Sequence, residues 1–322
     1  MAKVNSAIGI EYNSHEIKAV ELTKGSDGSY KVTAFSKESI GENIMGNGII
    51  VDTAMFSVAL NKLMDRGGFN TNLPIVVGVN NETVIMRYAT FPKVPDEKLR
   101  GVVTMQAQDF IPVPVSELGL DFVVIDETTD DDDQPALNVL LVGARNTMLE
   151  NIIQNFAESK LEIVDIDSSF LAWCRVAIEE AKDDVFGFIC LTDDVLDFVA
   201  IVDKEIKMVR SINIPDRAIV EVKKAFNDPQ SIVSSEKETV IDLLYSELSS
   251  SMNYFQMQTG YTMSSVLFTA STEMQEELAE RLAERCYVPL TIPKFYEQYS
   301  NESFDASDFA GCISLAKVAL EG

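Results

Sequence analysis

A chain of 322 residues, 46% of them hydrophobic, exceeds one ordinary core and is too apolar to stay disordered, so two domains are expected. Its formal charge of −25 disfavours nucleic acid and anionic lipid, which need dense Lys/Arg patches to displace their counterions. No run of about 18 apolar residues is present to span a bilayer.

The N-terminus lacks the basic and apolar segments of a signal peptide. The four cysteines, Cys174, Cys190, Cys286 and Cys312, follow neither metal spacing nor a disulfide framework, which points to a reducing cytoplasm. The chain opens on three β-rich runs, 6–12, 17–23 and 30–37, split by Asn13-Ser14-His15 and by a Gly-rich turn; this predicts an antiparallel meander. Asp52 then precedes a helical stripe of Met55, Phe56, Ala59, Leu60, Leu63 and Met64 that Gly67-Gly68 ends. Strands follow at 75–79 and 84–91. A helix over 96–110, with Leu99, Val102, Val103 and Ala107 inward, stops at Ile111-Pro112-Val113-Pro114, a segment that either lines a groove or only turns the chain.

Strands at 121–126 and 137–144 flank a tip with four consecutive aspartates. These lack the alternating spacing and central glycine of a calcium loop, so no metal site is expected there. Asn146 is expected to cap a helix with Leu149, Ile152, Ile153 and Phe156 on one face, followed by a strand at 163–166 and a helix over 168–181. A second meander, 186–191, 195–202 and 206–213, repeats the first and suggests a duplicated fold. Helices are then expected over 216–227 and 236–258, with 252–257 read as a buried stripe. A strand at 265–269, a helix over 272–285, a strand at 288–292 and a last helix over 307–320 complete the chain. The order predicts an α/β protein of two domains across a cleft: 1–185, with an inserted α+β subdomain at 82–166, and 186–322, with the last helix packing back on the first domain.

Several stretches together resemble the PilM family of actin-like proteins of type IV pilus assembly. They are Ile8-Gly9-Ile10-Glu11-Tyr12-Asn13-Ser14 with Lys18-Ala19-Val20-Glu21-Leu22, Met105 through Pro114, Leu120-Asp121-Phe122, Leu141-Val142-Gly143-Ala144-Arg145, Val164 through Leu171, Ser246 through Gln256, and Phe309-Ala310-Gly311. The resemblance implies an actin-like, ribonuclease H-like duplicated fold, ATP with magnesium in the cleft, and a groove beside the insertion. That groove would hold the cytosolic tail of a PilN-like bitopic membrane protein, tying this chain to the inner membrane and to other pilus assembly proteins. A basic tail is also what an acidic surface tolerates best.

The implied nucleotide positions are Glu11, Asn13, Ser14, Lys18, Thr192, Thr269, Ala270 and Ser271, and most depart from the family pattern. Glu11 stands for an aspartate, Asn13 for a glycine, Cys190 for an aspartate and Thr192 for a glycine. Asp193 and Asp194 add negative charge at the second tip, and Thr269-Ala270-Ser271 replaces three glycines. His15 is expected as an exposed turn residue and Trp173 as packing. The expectation is a scaffold with a degenerate ATP site, no catalytic residue and no required cofactor. The alternatives are an active ATP-binding or hydrolysing protein of the same machine, or the actin-like component of type II secretion.

Overall fold

Burial runs unbroken along 186–191 and 195–202, whereas the third strand of each meander mixes buried residues with exposed and half-buried ones. The computed structural model describes residues 5–41, 43–46, 48–81, 83–130, 132–192, 195–213, 233–270 and 274–321. The helix expected over 216–227, together with Asp193, Asp194 and Ser271, lies outside the described residues. In chain order the elements are β1 (Ser6–Tyr12), β2 (Glu16–Lys24), β3 (Tyr30–Ser39), the short pair β4 (Met45–Gly46) and β5 (Ile49–Ile50), α1 (Thr53–Gly67), β6 (Ile75–Val79), β7 (Val84–Pro92), α2 (Asp96–Gln106), β8 (Leu118–Thr129), β9 (Pro135–Arg145) and α3 (Asn146–Glu158). They continue with β10 (Ile163–Ser168), α4 (Ser169–Glu180), β11 (Val185–Leu191), β12 (Val195–Val202), β13 (Glu205–Asn213), α5 (Ser234–Thr259), β14 (Ser265–Ala270), α6 (Gln275–Ala283), β15 (Leu290–Thr291) and α7 (Ala310–Glu321).

Two five-stranded sheets share one topology. The first runs β10-β6-β1-β2-β3 and the second β15-β14-β11-β12-β13, each an antiparallel meander extended by two parallel strands. The helices α4 and α7 lie between the sheets, where Phe170, Val176, Cys312 and Ile313 meet Val20 and Leu22 from one sheet and Phe188 and Val199 from the other. The outer faces are covered by α1 and α3 on the first sheet and by α5 and α6 on the second. Every residue of β12 is buried because both of its faces are packed.

The α1 N-terminus forms as expected: Asp52 accepts the Met55 N–H at 3.0 Å, and Gly68 closes the helix at φ 66°. A third sheet, β7-β9-β8, carries α2 on one face through Leu99, Val103 and Ala107. This separate sheet ends at Arg145, short of the boundary at 166, since β10 pairs with β6 and so belongs to the first sheet. Asn146 is the first residue of α3 and not its cap; its amide instead donates to the Ser116 carbonyl at 3.2 Å. Ile153 is exposed, and Met148 takes its place in the core. Ile111 and Val113 pack inside the insertion, so that proline-rich segment turns the chain there. The 252–257 stripe divides, with Met252 and Phe255 buried and Tyr254 and Met257 exposed. The last helix starts with a 3-10 turn, Ala306–Phe309, before α7.

Candidate functional site

The duplication sets two hairpin tips against each other. In the first, Glu11 pairs with Lys18; at the matching position of the second, Cys190 pairs with Asp197. Both tips close over four residues, with the Asn13 N–H donating to the Glu16 carbonyl at 3.1 Å and the Thr192 N–H to the Val195 carbonyl at 2.9 Å. Between them lies a cavity of about 50 Å³ bordered by Glu11, Asn13, Lys18, Trp173, Cys190 and Thr192. It holds a few waters at most, far below the roughly 300–1000 Å³ typical of small-ligand sites.

Phosphate loops work by leaving backbone N–H groups open to the anion. Here the side chains that replace glycine take those donors themselves. Asn13 Oδ1 accepts from the N–H groups of His15 at 2.8 Å and Glu16 at 3.0 Å. The Thr192 hydroxyl accepts the Val195 N–H at 3.1 Å. At the third loop, Gln275 Oε1 accepts the Ala270 N–H at 2.8 Å and meets the Thr269 hydroxyl at 3.4 Å. Thr269 and Ala270 do not border the small cavity, and neither does Ser14, whose hydroxyl lies 3.1 Å from His15 Nε2. His15 is half-buried, contrary to the expected exposed turn residue, and its carbonyl accepts the Ile40 N–H at 2.7 Å.

Glu11 is turned toward α7. Trp173 Nε1 donates to Glu11 Oε1 at 3.0 Å, and the Cys312 thiol lies 3.6 Å from Oε2. The Gly311 Cα sits so close to this carboxyl that any Cβ there would overlap it. Burial raises the Glu11 carboxyl above its ordinary range, with Lys18 and the Trp173 and Cys312 contacts pulling it back in part. The indole therefore does more than pack. Lys18 points to its own partners, Glu16 at 2.9 Å and Asp308 at 2.5 Å, and Asp308 also meets Lys37 at 2.9 Å. Burial works against the Lys18 charge, but those two carboxylates outweigh it and hold its pKa above the ordinary lysine value.

Two residues that sequence reasoning did not assign to the cleft complete it. Asp197, with no solvent exposure, accepts from Asn80 Nδ2 at 2.7 Å and from the Ser211 hydroxyl at 2.5 Å, so a buried carboxylate ties the end of β6 to the second sheet. Asp308 lies 290 residues from Lys18, and no local pattern could have paired them. Among the described residues the arrangement does not fit magnesium and a triphosphate: the N–H groups of His15, Glu16, Val195 and Ala270 are taken, Lys18 is paired and Glu11 is enclosed.

Comparison with known proteins places this geometry. The profile of the family described as type IV pilus assembly protein PilM matches residues 9–181, more than half of the chain. Among solved structures, the PilM–PilN type IV pilus biogenesis complex contains a chain similar over 99% of this one and 100% of its own length, at TM-score 0.82 and 18% identity. The ethanolamine utilization protein EutJ of Carboxydothermus hydrogenoformans matches over 98% and 90% of the two chains at TM-score 0.52 and 10% identity. A Bacteroides thetaiotaomicron protein with an actin-like ATPase fold matches over 96% and 97% at TM-score 0.51 and 8% identity. The fold is thus actin-like, as the duplicated topology implies.

Proposed function

Because this chain belongs to the PilM family of type IV pilus assembly proteins, we propose that it serves the pilus machine as a non-catalytic scaffold that grips the basic cytosolic tail of a PilN-like membrane protein. The observation that supports the non-catalytic part is that, among the described residues, Asn13, Thr192 and Gln275 accept the N–H groups of His15, Glu16, Val195 and Ala270 at the three loops. A protein whose phosphate donors are bound to its own side chains gains nothing from binding the anion unless those side chains leave. The similarity to a chain from a PilM–PilN complex supports a partner of that kind. Among the described residues no helix is long and apolar enough to cross a membrane, so attachment through a partner's tail suits the role.

We place the tail along β8 and β10, edge strands of the third and first sheets. Val123, Val124 and Val164 stand exposed on these strands. The Asp165 carboxyl is raised by burial and further by the negative charges of Asp167 and Asp121, so those three carboxylates lie within electrostatic reach of one another. Arg100 already meets Asp121 at 2.8 Å and Arg175 meets Asp167 at 2.5 Å, so Asp165 is the carboxylate left for a Lys or Arg of the tail, whose backbone would pair with a strand edge. Fluorescence anisotropy with the N-terminal cytosolic peptide of the PilN-like protein tests the reading. Micromolar binding that weakens with salt, and falls about tenfold in Asp121→Lys and Asp165→Lys, is expected. No binding at high micromolar protein would sink it.

A further inference from the structure

The outer edge of β8 is not bare. Among the described residues β8 pairs with β9 alone, which leaves the backbone groups of its other side unpaired by any strand. Residues directly opposite each other on paired strands point to the same face. Phe122, opposite Leu141, therefore faces α2 and the small core beneath it, whereas Asp121, opposite Val142, faces away from that helix. Arg100 starts on α2 and touches both. Its guanidinium lies 5.4 Å from the centre of the Phe122 ring and donates to Asp121 Oδ1 at 2.8 Å. A side chain rooted on the α2 face reaches a carboxylate of the far face only around the open edge, because β9 closes the other side. Arg100 thus lies across the backbone groups that an added strand would need.

Two carboxylates on this side of the molecule are held by the chain's own cations, and the two holders differ in grip. Arg175 meets Asp167 and also donates from Nε to the Ser314 hydroxyl at 3.3 Å, with its side chain 41% exposed. Arg100 has one carboxylate and one ring face, and its side chain is 68% exposed. Exposed ion pairs and exposed cation–π contacts each contribute little, so an incoming cation displaces Arg100 far more easily than Arg175. What Arg100 covers is also what a basic segment would take: a carboxylate, an aromatic face and a strand edge, all within one side chain's reach. Phe122 and Asp121 stay behind when it leaves, ready for a replacement guanidinium or ammonium.

From this geometry we infer that Arg100 is a built-in stand-in for a basic residue of the tail, seated across β8 until a tail cation takes its place on Asp121 and Phe122. This rests on the tail's placement along β8 and β10 and adds what that site selects, since a segment without Lys or Arg in register with Asp121 leaves the stand-in seated. The probe is the fluorescein-labelled N-terminal peptide of the PilN-like protein, titrated by anisotropy with the full chain. The variants are Arg100→Ala and, as a control for charge, Lys98→Ala, which removes an equal charge from an exposed position of the same helix. Arg100→Ala is expected to bind about three- to fivefold more tightly than the parent, and Lys98→Ala to stay within about twofold of it. In an Asp121→Asn background, where the stand-in has lost its carboxylate, adding Arg100→Ala is expected to change affinity by less than about twofold. Melting temperatures are expected to stay put, because the pair is exposed. Three results would each overturn the inference while leaving tail binding in place: Arg100→Ala no tighter than Lys98→Ala, Arg100→Ala weaker than the parent, or the same gain with Asp121 removed. No binding by any of these proteins would overturn it together with the proposed function.

Discussion

Glu11 shows how one methylene and one neighbour redirect a side chain. An aspartate at this place would hold its oxygens near the hairpin tip; the longer stem carries them under Trp173 and against the Gly311 backbone. The cost of that enclosure has a definite sign. The folded carboxyl titrates above its ordinary value of 4.5, so between those two values the native state holds more protons than the unfolded chain. Stability therefore falls as pH rises through that window, by about 1.4 kcal/mol for each unit of displacement. Glu11→Gln keeps the shape and the acceptor for the indole but cannot ionise. Urea titrations from pH 4 to pH 8 are expected to show the variant matching the parent at the acid end and exceeding it at pH 8. Parallel curves would mean that the carboxyl is better solvated than its contacts indicate.

At the scale of elements, the contact between α7 and β1 locks the cleft, and it depends on two glycines. A Cβ on Gly9 would overlap the carbonyl oxygen of Cys312, which is helix backbone, whereas a Cβ on Gly311 would overlap only the tip of the Glu11 side chain. Side chains can swing away and helix backbone cannot. Gly9→Ala is thus expected to cost about 3 kcal/mol or more, Gly311→Ala nearer 1–2 kcal/mol, as overpacking does in cores. Thermal or urea unfolding of the two variants gives the comparison, and equal losses would contradict it. The hairpins, β6 and the Asp52 cap were legible in the sequence because each follows from alternation, period or a cap within a few residues. What stayed hidden was set by contacts far apart in the chain: Asp308 with Lys18, Trp173 with Glu11, and the pairing of β10 with β6. The departures from glycine at Asn13 and Thr192 could be read in the sequence, but the bonding of Asn13 and Gln275 to the loops' own N–H groups needed the folded geometry. Ile153 fits the helical period of α3, and only packing put Met148 in the core in its place.

For the molecule as a whole, the question is whether two similar domains still close around a ligand or are closed already. Asp197 gives the answer a handle, since it receives Asn80 from the first domain and Ser211 from its own sheet with no access to water. Asp197→Ala strands both donors in the cleft. It is expected to cost about 2–5 kcal/mol, and to speed hydrogen exchange in β6 and β12 before the outer helices. A nucleotide that bridged the same two tips would have to replace contacts the chain makes with itself. A ligand at about 100 times its Kd adds about 2.7 kcal/mol to the native state, which raises the melting temperature of a chain this long by about 4 °C. Millimolar ATP with magnesium is therefore expected to leave the parent's melting curve where it stands. The tail peptide, which needs no loop to open, is expected to raise it. An ATP-dependent rise of several degrees would show that Asn13, Thr192 and Gln275 yield their hydrogen bonds to phosphate, and that the cleft is a latch that opens.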